Sequence, residues 1–329
     1  MTNSNKLPMS QNPSLTIHST AGNPWTWQDR WIKPPVPEFG VRNQRTHGIG
    51  FLEDGRIILF HQALPSLLIL SPEGDLLTRW GSYPGAHGLT IVRREGNEHL
   101  WLTDEFLGVA ELVDLEGRVV QRLSKPDHPA YQNAPFVPTW VAEETEEGKP
   151  VRLWLSDGYG SHLVHAYDGE GNYQFSLDGT EGAGKFDCPH SVAIDPRPGK
   201  NHRVLVADRG NHRVQEFDRD GRFLGSWGQD FFHSPNGFDF RDGRVAVTEL
   251  FGCVSLLDEN NQLVERLGNQ ANARHLPGWP LVDPANCLVP GLFNSPHHAA
   301  WEPGGSLVVV EWIKHGRVTR LTPGTKPKG

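Results

Sequence analysis

Four histidines open apolar runs in similar local contexts. They are His47 in Thr46-His47-Gly48-Ile49, His87 in Ala86-His87-Gly88-Leu89, His190 in Pro189-His190-Ser191-Val192 and His297 in Pro296-His297-His298-Ala299. Neutral imidazole is the commonest protein ligand for zinc and similar ions, and three imidazoles with one open position make a catalytic zinc centre. A lone histidine is usually structural. Several at one repeated register, in a chain with 16 histidines, point to a shared metal. Thr139 and Asn236 hold the same register in two further repeats. Four imidazoles, a hydroxyl and an amide brought together need a ligand, because each buried polar atom must be satisfied.

The elements that position these residues are short strands. The clearest repeat runs from Cys188-Pro189-His190 through Arg203 to Phe217 and on to Arg222-Phe223-Leu224-Gly225-Ser226-Trp227. It reads as four apolar strands with turns at Gly210-Asn211 and Asp220-Gly221. The other repeats begin at His47, His87, Pro138-Thr139, Pro235-Asn236 and Pro296-His297, and their second strands run through Arg56–Phe60, His99–Asp104, Leu153–Asp157, Val245–Glu249 and Leu307–Glu311. Turn pairs such as Asp54-Gly55, Glu116-Gly117 and Asp242-Gly243 supply the positive φ that tight hairpins need. Four strands at a period of about 40 residues predict an all-β, six-bladed β-propeller whose first strands line a central channel. The sixth repeat lacks a fourth strand after Leu321, and Trp25-Thr26-Trp27-Gln28-Asp29-Arg30-Trp31 has the character to supply it. The expected organisation is a mobile leader over 1–24 and one propeller domain over 25–329. Longer loops are expected at Lys125–Phe136 and Asn269–Phe293.

A second register ends each second strand with His61, Asp104, Asp157, Asp208, Glu249 or Glu311. Carboxylates there are expected to accept backbone N–H bonds from the neighbouring blade. The remaining histidines, His165 among them, read as loop or outer-strand residues.

A formal charge of −8 argues against nucleic acid, and no apolar run approaches a membrane span. Cys188, Cys253 and Cys287 show no CxxC spacing, which suits a reduced, cytoplasmic protein. Cys188, two residues before His190, reads as a small buried apolar residue.

The repeats resemble NHL repeats, and over Gly40–Leu321 they look like peptidyl-α-hydroxyglycine α-amidating lyase, a six-bladed NHL propeller. Ala86-His87-Gly88-Leu89-Thr90, Pro189-His190-Ser191-Val192-Ala193 and Ser295-Pro296-His297 are similar to its three zinc-histidine segments. Ser156-Asp157-Gly158-Tyr159 resembles its catalytic tyrosine motif, and Ala207-Asp208-Arg209-Gly210-Asn211 one of its arginine motifs. The resemblance implies His87, His190 and His297 as metal ligands, with Tyr159 and Arg209 above the metal. The chain departs from the lyase at Phe60-His61-Gln62, where Gln62 replaces a second arginine and lacks the charge to clamp a carboxylate. His298 stands where the lyase has an acidic calcium ligand, so structural calcium is not expected. Ser295 replaces a methionine, and the secreted lyase's disulfide cysteines are missing. His47 is an extra imidazole at the axial register.

The implied reaction breaks a C–N bond at a carbon bearing a hydroxyl, on a small-molecule substrate. One divalent transition metal, zinc by default with Mn, Fe, Co or Cu as alternatives, would lower the hydroxyl's pKa. Tyr159 would be the general base, its phenolate favoured by nearby positive charge, and Arg209 would hold the carboxylate. Other readings of the same repeats are a non-catalytic propeller that binds a protein partner and a metal-dependent, lactonase-type hydrolase.

Overall fold

The computed structural model describes residues 14–32, 45–200, 202–279 and 288–324. Cys287 lies outside them; Cys188 and Cys253 are free thiols. The described residues form six antiparallel sheets. Their strands are Thr46–Phe51, Ile57–His61, Leu67–Leu70 and Leu76–Trp80 in the first, and Ala86–Arg94, Asn97–Asp104, Val109–Val113 and Val119–Leu123 in the second. The third holds Trp140–Glu146, Lys149–Asp157, Leu163–Asp168 and Tyr173–Leu177, and the fourth Pro189–Ile194, Val204–Asp208, Arg213–Phe217 and Phe223–Trp227. The fifth holds Pro235–Arg241, Arg244–Glu249, Cys253–Leu257 and Leu263–Leu267. The sixth runs Pro296–Trp301, Leu307–Glu311 and Arg317–Pro323, then Pro24–Ile32 and Leu15–His18. The N-terminal strand therefore completes the sixth sheet as expected, with Trp25 opposite Pro323 and Trp27 opposite Leu321. Leu15–His18, inside the segment expected to be a leader, adds a fifth strand by pairing with Pro24–Trp27.

The chain groups into two compact units, residues 83–237 and residues 1–82 with 238–329. In each, the core lies between successive sheets, because alternate residues of every strand point to opposite faces. In the first unit Trp140, Trp154, Val164, Val192, Val206 and Phe217 fill the space between the third and fourth sheets. In the second unit Trp27, Val254, Leu256, Phe293, Val309 and Leu321 do the same for the fifth and sixth. Each buried side chain of this size contributes about 1.5–3 kcal/mol relative to exposure.

The carboxylates that end the second strands do accept backbone N–H groups, but from their own sheet rather than a neighbour. Asp104 accepts from Gly85, Phe106 and Leu107 at 2.8–2.9 Å. Asp157 accepts from Val137 and Ser161 at 2.8 Å, and Glu311 from Ser295 at 3.0 Å. Asp104 and Asp157 thus tie the segment entering their sheet to the turn leaving the second strand, and Glu311 holds the segment entering the sixth sheet.

Asp239, on the first strand of the fifth sheet, accepts the Trp301 N–H at 2.6 Å. Burial pushes its carboxyl up to about 7. A raised carboxyl favours the protonated folded state, so its contribution is fully present near pH 4 and lost as pH rises through 7. Asp239→Asn is therefore expected to be more stable than the parent at pH 8 and equal to it at pH 4. A shift of that size corresponds to about 4 kcal/mol at most, less where water reaches the side chain. Urea unfolding at the two pH values measures it, and equal midpoints at pH 8 would refute the assignment.

Candidate active site

All four axial-register histidines occupy β-bulges. His47 is the extra residue between the Thr46–His61 and Gly48–Phe60 pairs. His190 lies between Pro189–Asp208 and Ser191–Ala207, and His297 between Pro296–Glu311 and His298–Val310. In the second sheet the pairing jumps from Ala86–Asp104 to Leu89–Leu102, across His87. A bulge leaves one residue out of the ladder and re-aims its side chain. Thr139, by contrast, precedes a regular pairing of Trp140 with Ser156. The sequence showed the shared register but not this device.

Gly88 shows how tightly the second bulge is built. A Cβ there would lie 2.4 Å from the Thr139 carbonyl and 2.9 Å from Thr103 Oγ1. The missing side chain lets Gly88 N–H reach Thr103 Oγ1 at 2.7 Å, while that hydroxyl donates to Thr139 O at 2.9 Å.

In the unit of residues 83–237, His87, His190, Tyr159 and Arg209 come together. His87 Nδ1 lies 2.9 Å from Thr139 O, and His190 Nδ1 2.8 Å from Asn236 O. A carbonyl only accepts, so each Nδ1 carries its proton and each neutral ring presents an Nε2 lone pair. Burial, aided by Arg209, lowers His87 to about 3 against the opposing Thr139 bond. Both Nε2 atoms lie 3.1 Å from the Tyr159 hydroxyl. Tyr159 has one proton and donates it to one imidazole at a time. Two lone pairs aimed at one point, their rings held by backbone carbonyls, suit a borderline cation such as zinc, and the carbonyls provide the outer support that metal-binding histidines usually have.

The Arg209 guanidinium lies 5.3 Å from the Tyr159 ring centroid, and its Nη1 is 3.3 Å from the phenol oxygen. It also donates to Asn236 Oδ1 at 2.9 Å and lies 3.1 Å from Cys188 Sγ. The sequence did not foresee Asn236 and Cys188 as partners of Arg209. Asn236 carries both jobs at once, since its carbonyl orients His190 and its amide orients Arg209. Burial raises the Tyr159 phenol above its ordinary value, and Arg209 only partly offsets it.

In the other unit, His297 Nδ1 lies 2.9 Å from His47 O, and the two rings meet edge to face at 4.5 Å. Gln62, buried, bonds through its N–H to Arg45 O at 2.9 Å. His298 Nδ1 accepts Ile49 N–H at 3.3 Å, and burial lowers this imidazole to about 4. It thus joins the first strands of the sixth and first sheets.

His165 is not a peripheral histidine. It is fully buried, with Nε2 2.6 Å from the Tyr131 hydroxyl and Nδ1 2.7 Å from Ser176 Oγ. Tyr131 in turn donates to Asp157 at 2.6 Å, which pins the Lys125–Phe136 loop beside the turn carrying Tyr159. Glu144, Glu146 and His202 also cluster, but Arg219 pairs with both carboxylates.

The NHL repeat family matches residues 186–217, which span the bulge of His190 and the turn of Arg209. With its six sheets the fold is a six-bladed β-propeller, and it carries an NHL repeat over those residues. Human NHL repeat-containing protein 3 is 29% identical over 203 residues, 56% of this chain and 55% of that protein. Mouse peptidyl-glycine alpha-amidating monooxygenase is 31% identical over 146 residues, 41% of this chain and 14% of that protein. The chain thus spans about half the length of the first relative and a small part of the second. A streptogramin B lyase structure superposes with a TM-score of 0.60 at 11% identity, covering 91% of this chain and 98% of the lyase. A gluconolactonase from Xanthomonas campestris gives 0.57 at 13%, covering 97% of both. At these identities the structures share the fold alone. Among the described residues no helix is long and apolar enough to cross a membrane.

Proposed function

We propose that this chain is a metal-dependent lyase that cleaves the C–N or C–O bond of a small α-hydroxy amide or carbinolamine-type substrate. The observation that carries this reading is the convergence of His87 and His190 Nε2 on the Tyr159 hydroxyl, under Arg209. His87 and His190 would hold one divalent metal, zinc by default. His297 is proposed as the third ligand from its shared register and bulge. Such a metal supplies a Lewis acid that lowers the pKa of a bound hydroxyl.

The chain's own residues then divide the work. Arg209, fixed by Asn236, binds the substrate carboxylate or the charge that develops on it. Tyr159 handles the proton at its phenol oxygen. It takes the proton from the substrate hydroxyl as that oxygen becomes a carbonyl, and returns it to the leaving nitrogen as the C–N bond breaks. Burial keeps the phenol protonated at neutral pH, so this role depends on a cation beside it. The partial similarity to an amidating monooxygenase supports the lyase reading over a purely binding propeller. A hydrolase of lactonase type has only fold likeness in its favour.

The test is the metal content of untagged protein by elemental mass spectrometry, beside His190→Ala. The expected result is about one equivalent of transition metal, the stoichiometry of a single site, lost in the variant. No metal in either, and no uptake of zinc or manganese, would remove the lyase reading.

A further inference from the structure

The residue opposite the second-strand carboxylate, on the third strand, differs from sheet to sheet. Arg213 faces Asp208 and Arg317 faces Glu311. Each guanidinium forms an ion pair with its carboxylate, at 2.7 and 3.0 Å. In the third sheet the position opposite Asp157 is Leu163, which has no charge to offer. Two residues on, where the fourth sheet has Gln215, the third has His165. The second sheet makes a related exchange, with Val109 opposite Asp104 and Tyr83 of the entering segment donating to Glu111 at 3.0 Å. These are the sheets that carry Tyr159 and His87.

In the fourth sheet Arg213 and Gln215 reach outward to hold the segment that enters the sheet. Arg213 donates to the Ala183 and Gly184 carbonyls at 2.6 and 2.9 Å, and Gln215 to Gly184 O at 3.0 Å. The third sheet makes the same link from the other side. Tyr131, on the entering loop, reaches in and donates to Asp157 at 2.6 Å. The donors that hold this carboxylate are neutral, since the other two are the Val137 and Ser161 N–H groups. The one proton of Tyr131 goes to Asp157, so His165 Nε2, 2.6 Å from the same oxygen, is a donor there. Its Nδ1 then accepts from Ser176, whose oxygen accepts from Tyr173 at 2.8 Å. Burial lowers His165 to about 3, which keeps it neutral. Every bond from Tyr173 to Asp157 therefore points one way, an alignment in which each bond strengthens the next.

The turn after Asp157 is Gly158-Tyr159-Gly160, and neither glycine has room for a side chain. A Cβ at Gly160 would overlap the Asp157 carboxylate and lie 2.6 Å from the Pro135 carbonyl, at the end of the same loop. One at Gly158 would lie 2.7 Å from the Pro189 carbonyl and 3.0 Å from Thr139 Oγ1. The turn is thus wedged between the loop on one side and the strand of His190 on the other. In that setting the Tyr159 hydroxyl stands 3.1 Å from both Nε2 atoms. A shift of about 1 Å would take it out of hydrogen-bond reach of one of them.

We infer that Tyr131, backed by His165, is a positioning residue for Tyr159: it locks the Lys125–Phe136 loop onto the turn so that the phenol faces the two imidazoles. The inference rests on the proposed site and deepens it. A loop outside the sheets sets the geometry of the proton transfer, through a carboxylate that the tyrosine holds where other sheets use a guanidinium.

The experiment labels the tyrosines of the full-length protein with carbon-13 at Cζ and follows the Tyr159 resonance, assigned with Tyr159→Phe. Tyr131→Phe removes one hydroxyl and is expected to move or split that resonance. His165→Leu takes away the donor that holds the Tyr131 oxygen; it should act in the same direction, and it decides the matter if the phenylalanine variant does not fold. On an α-hydroxy amide, Tyr131→Phe should lower kcat about 10- to 100-fold, the effect of misplacing a reacting group by about 1 Å. KM should change little, and the alkaline rise in rate that Tyr159 supplies should persist. A Tyr159 resonance at its parent position in the folded variants would overturn the assignment even if stability fell, since that is the mark of a purely structural residue. Loss of the alkaline rise in Tyr131→Phe would overturn it too, because Tyr131 would then carry the proton itself. Failure of the lyase reading shows up separately, as no turnover by the parent, and leaves the resonance measurement to be read on its own.

Discussion

Arg317→Ala is expected to lower the unfolding free energy by about 3–5 kcal/mol, the usual result of breaking a buried ion pair from one side. The Arg317 side chain is fully buried. It donates to Asp29 at 2.6 Å, to Glu311 at 3.0 Å and to the Leu292 carbonyl at 2.9 Å. It also lies over the Trp27 ring at 5.1 Å. One side chain thus joins the third strand of the sixth sheet to its second strand and to the N-terminal strand. Alanine would leave Glu311 buried and without this charge while it still holds the Ser295 N–H two residues before His297. Chemical denaturation against the parent measures the effect. A loss under about 1 kcal/mol would place Arg317 among ordinary surface pairs.

For the proposed reaction, Tyr159→Phe should reduce turnover about 100- to 10,000-fold, the usual range for losing a general acid–base group. Metal content should not change, because the tyrosine faces the two Nε2 atoms rather than supplying a nitrogen. The sign of the pH dependence follows from burial, which raises the phenol. Its base form is scarce at neutral pH, so the parent's rate should climb toward alkaline pH, and the phenylalanine variant should lose that limb. Steady-state rates on an α-hydroxy amide at several pH values decide it. Full activity in the variant, or the same alkaline rise, would take Tyr159 out of the proton transfer.

Much of this was legible in the residues because a repeat compares itself. The register of His47, His87, His190 and His297 stood out once the strands were aligned, and the Trp25–Trp31 segment was visible as the strand the sixth sheet needed. The bulges were not visible, since an extra residue in a strand leaves no mark on composition or periodicity. The Arg209 contacts to Asn236 and Cys188 join residues far apart in the chain, which no local pattern encodes. For Tyr159 the positive neighbour was readable in the sequence, but the burial that raises its phenol was not. His165 was missed because its partners lie on a loop and an outer strand.

The sixth sheet also sets an order on assembly. Trp27 pairs with Leu321, and Asp29 awaits Arg317, so nearly the whole chain separates the two sides of one hairpin-like contact. Closing so large a loop costs entropy before any contact repays it, which makes this pairing slow relative to the local hairpins. On a ribosome, the tryptophan-rich strand Pro24–Ile32 emerges well before its partner Arg317–Pro323, with a separation of 288 residues between Asp29 and Arg317. The chain can build its other hairpins as it is made. This seam closes only after all the intervening sheets have been made, so it is the contact that fixes the order of assembly.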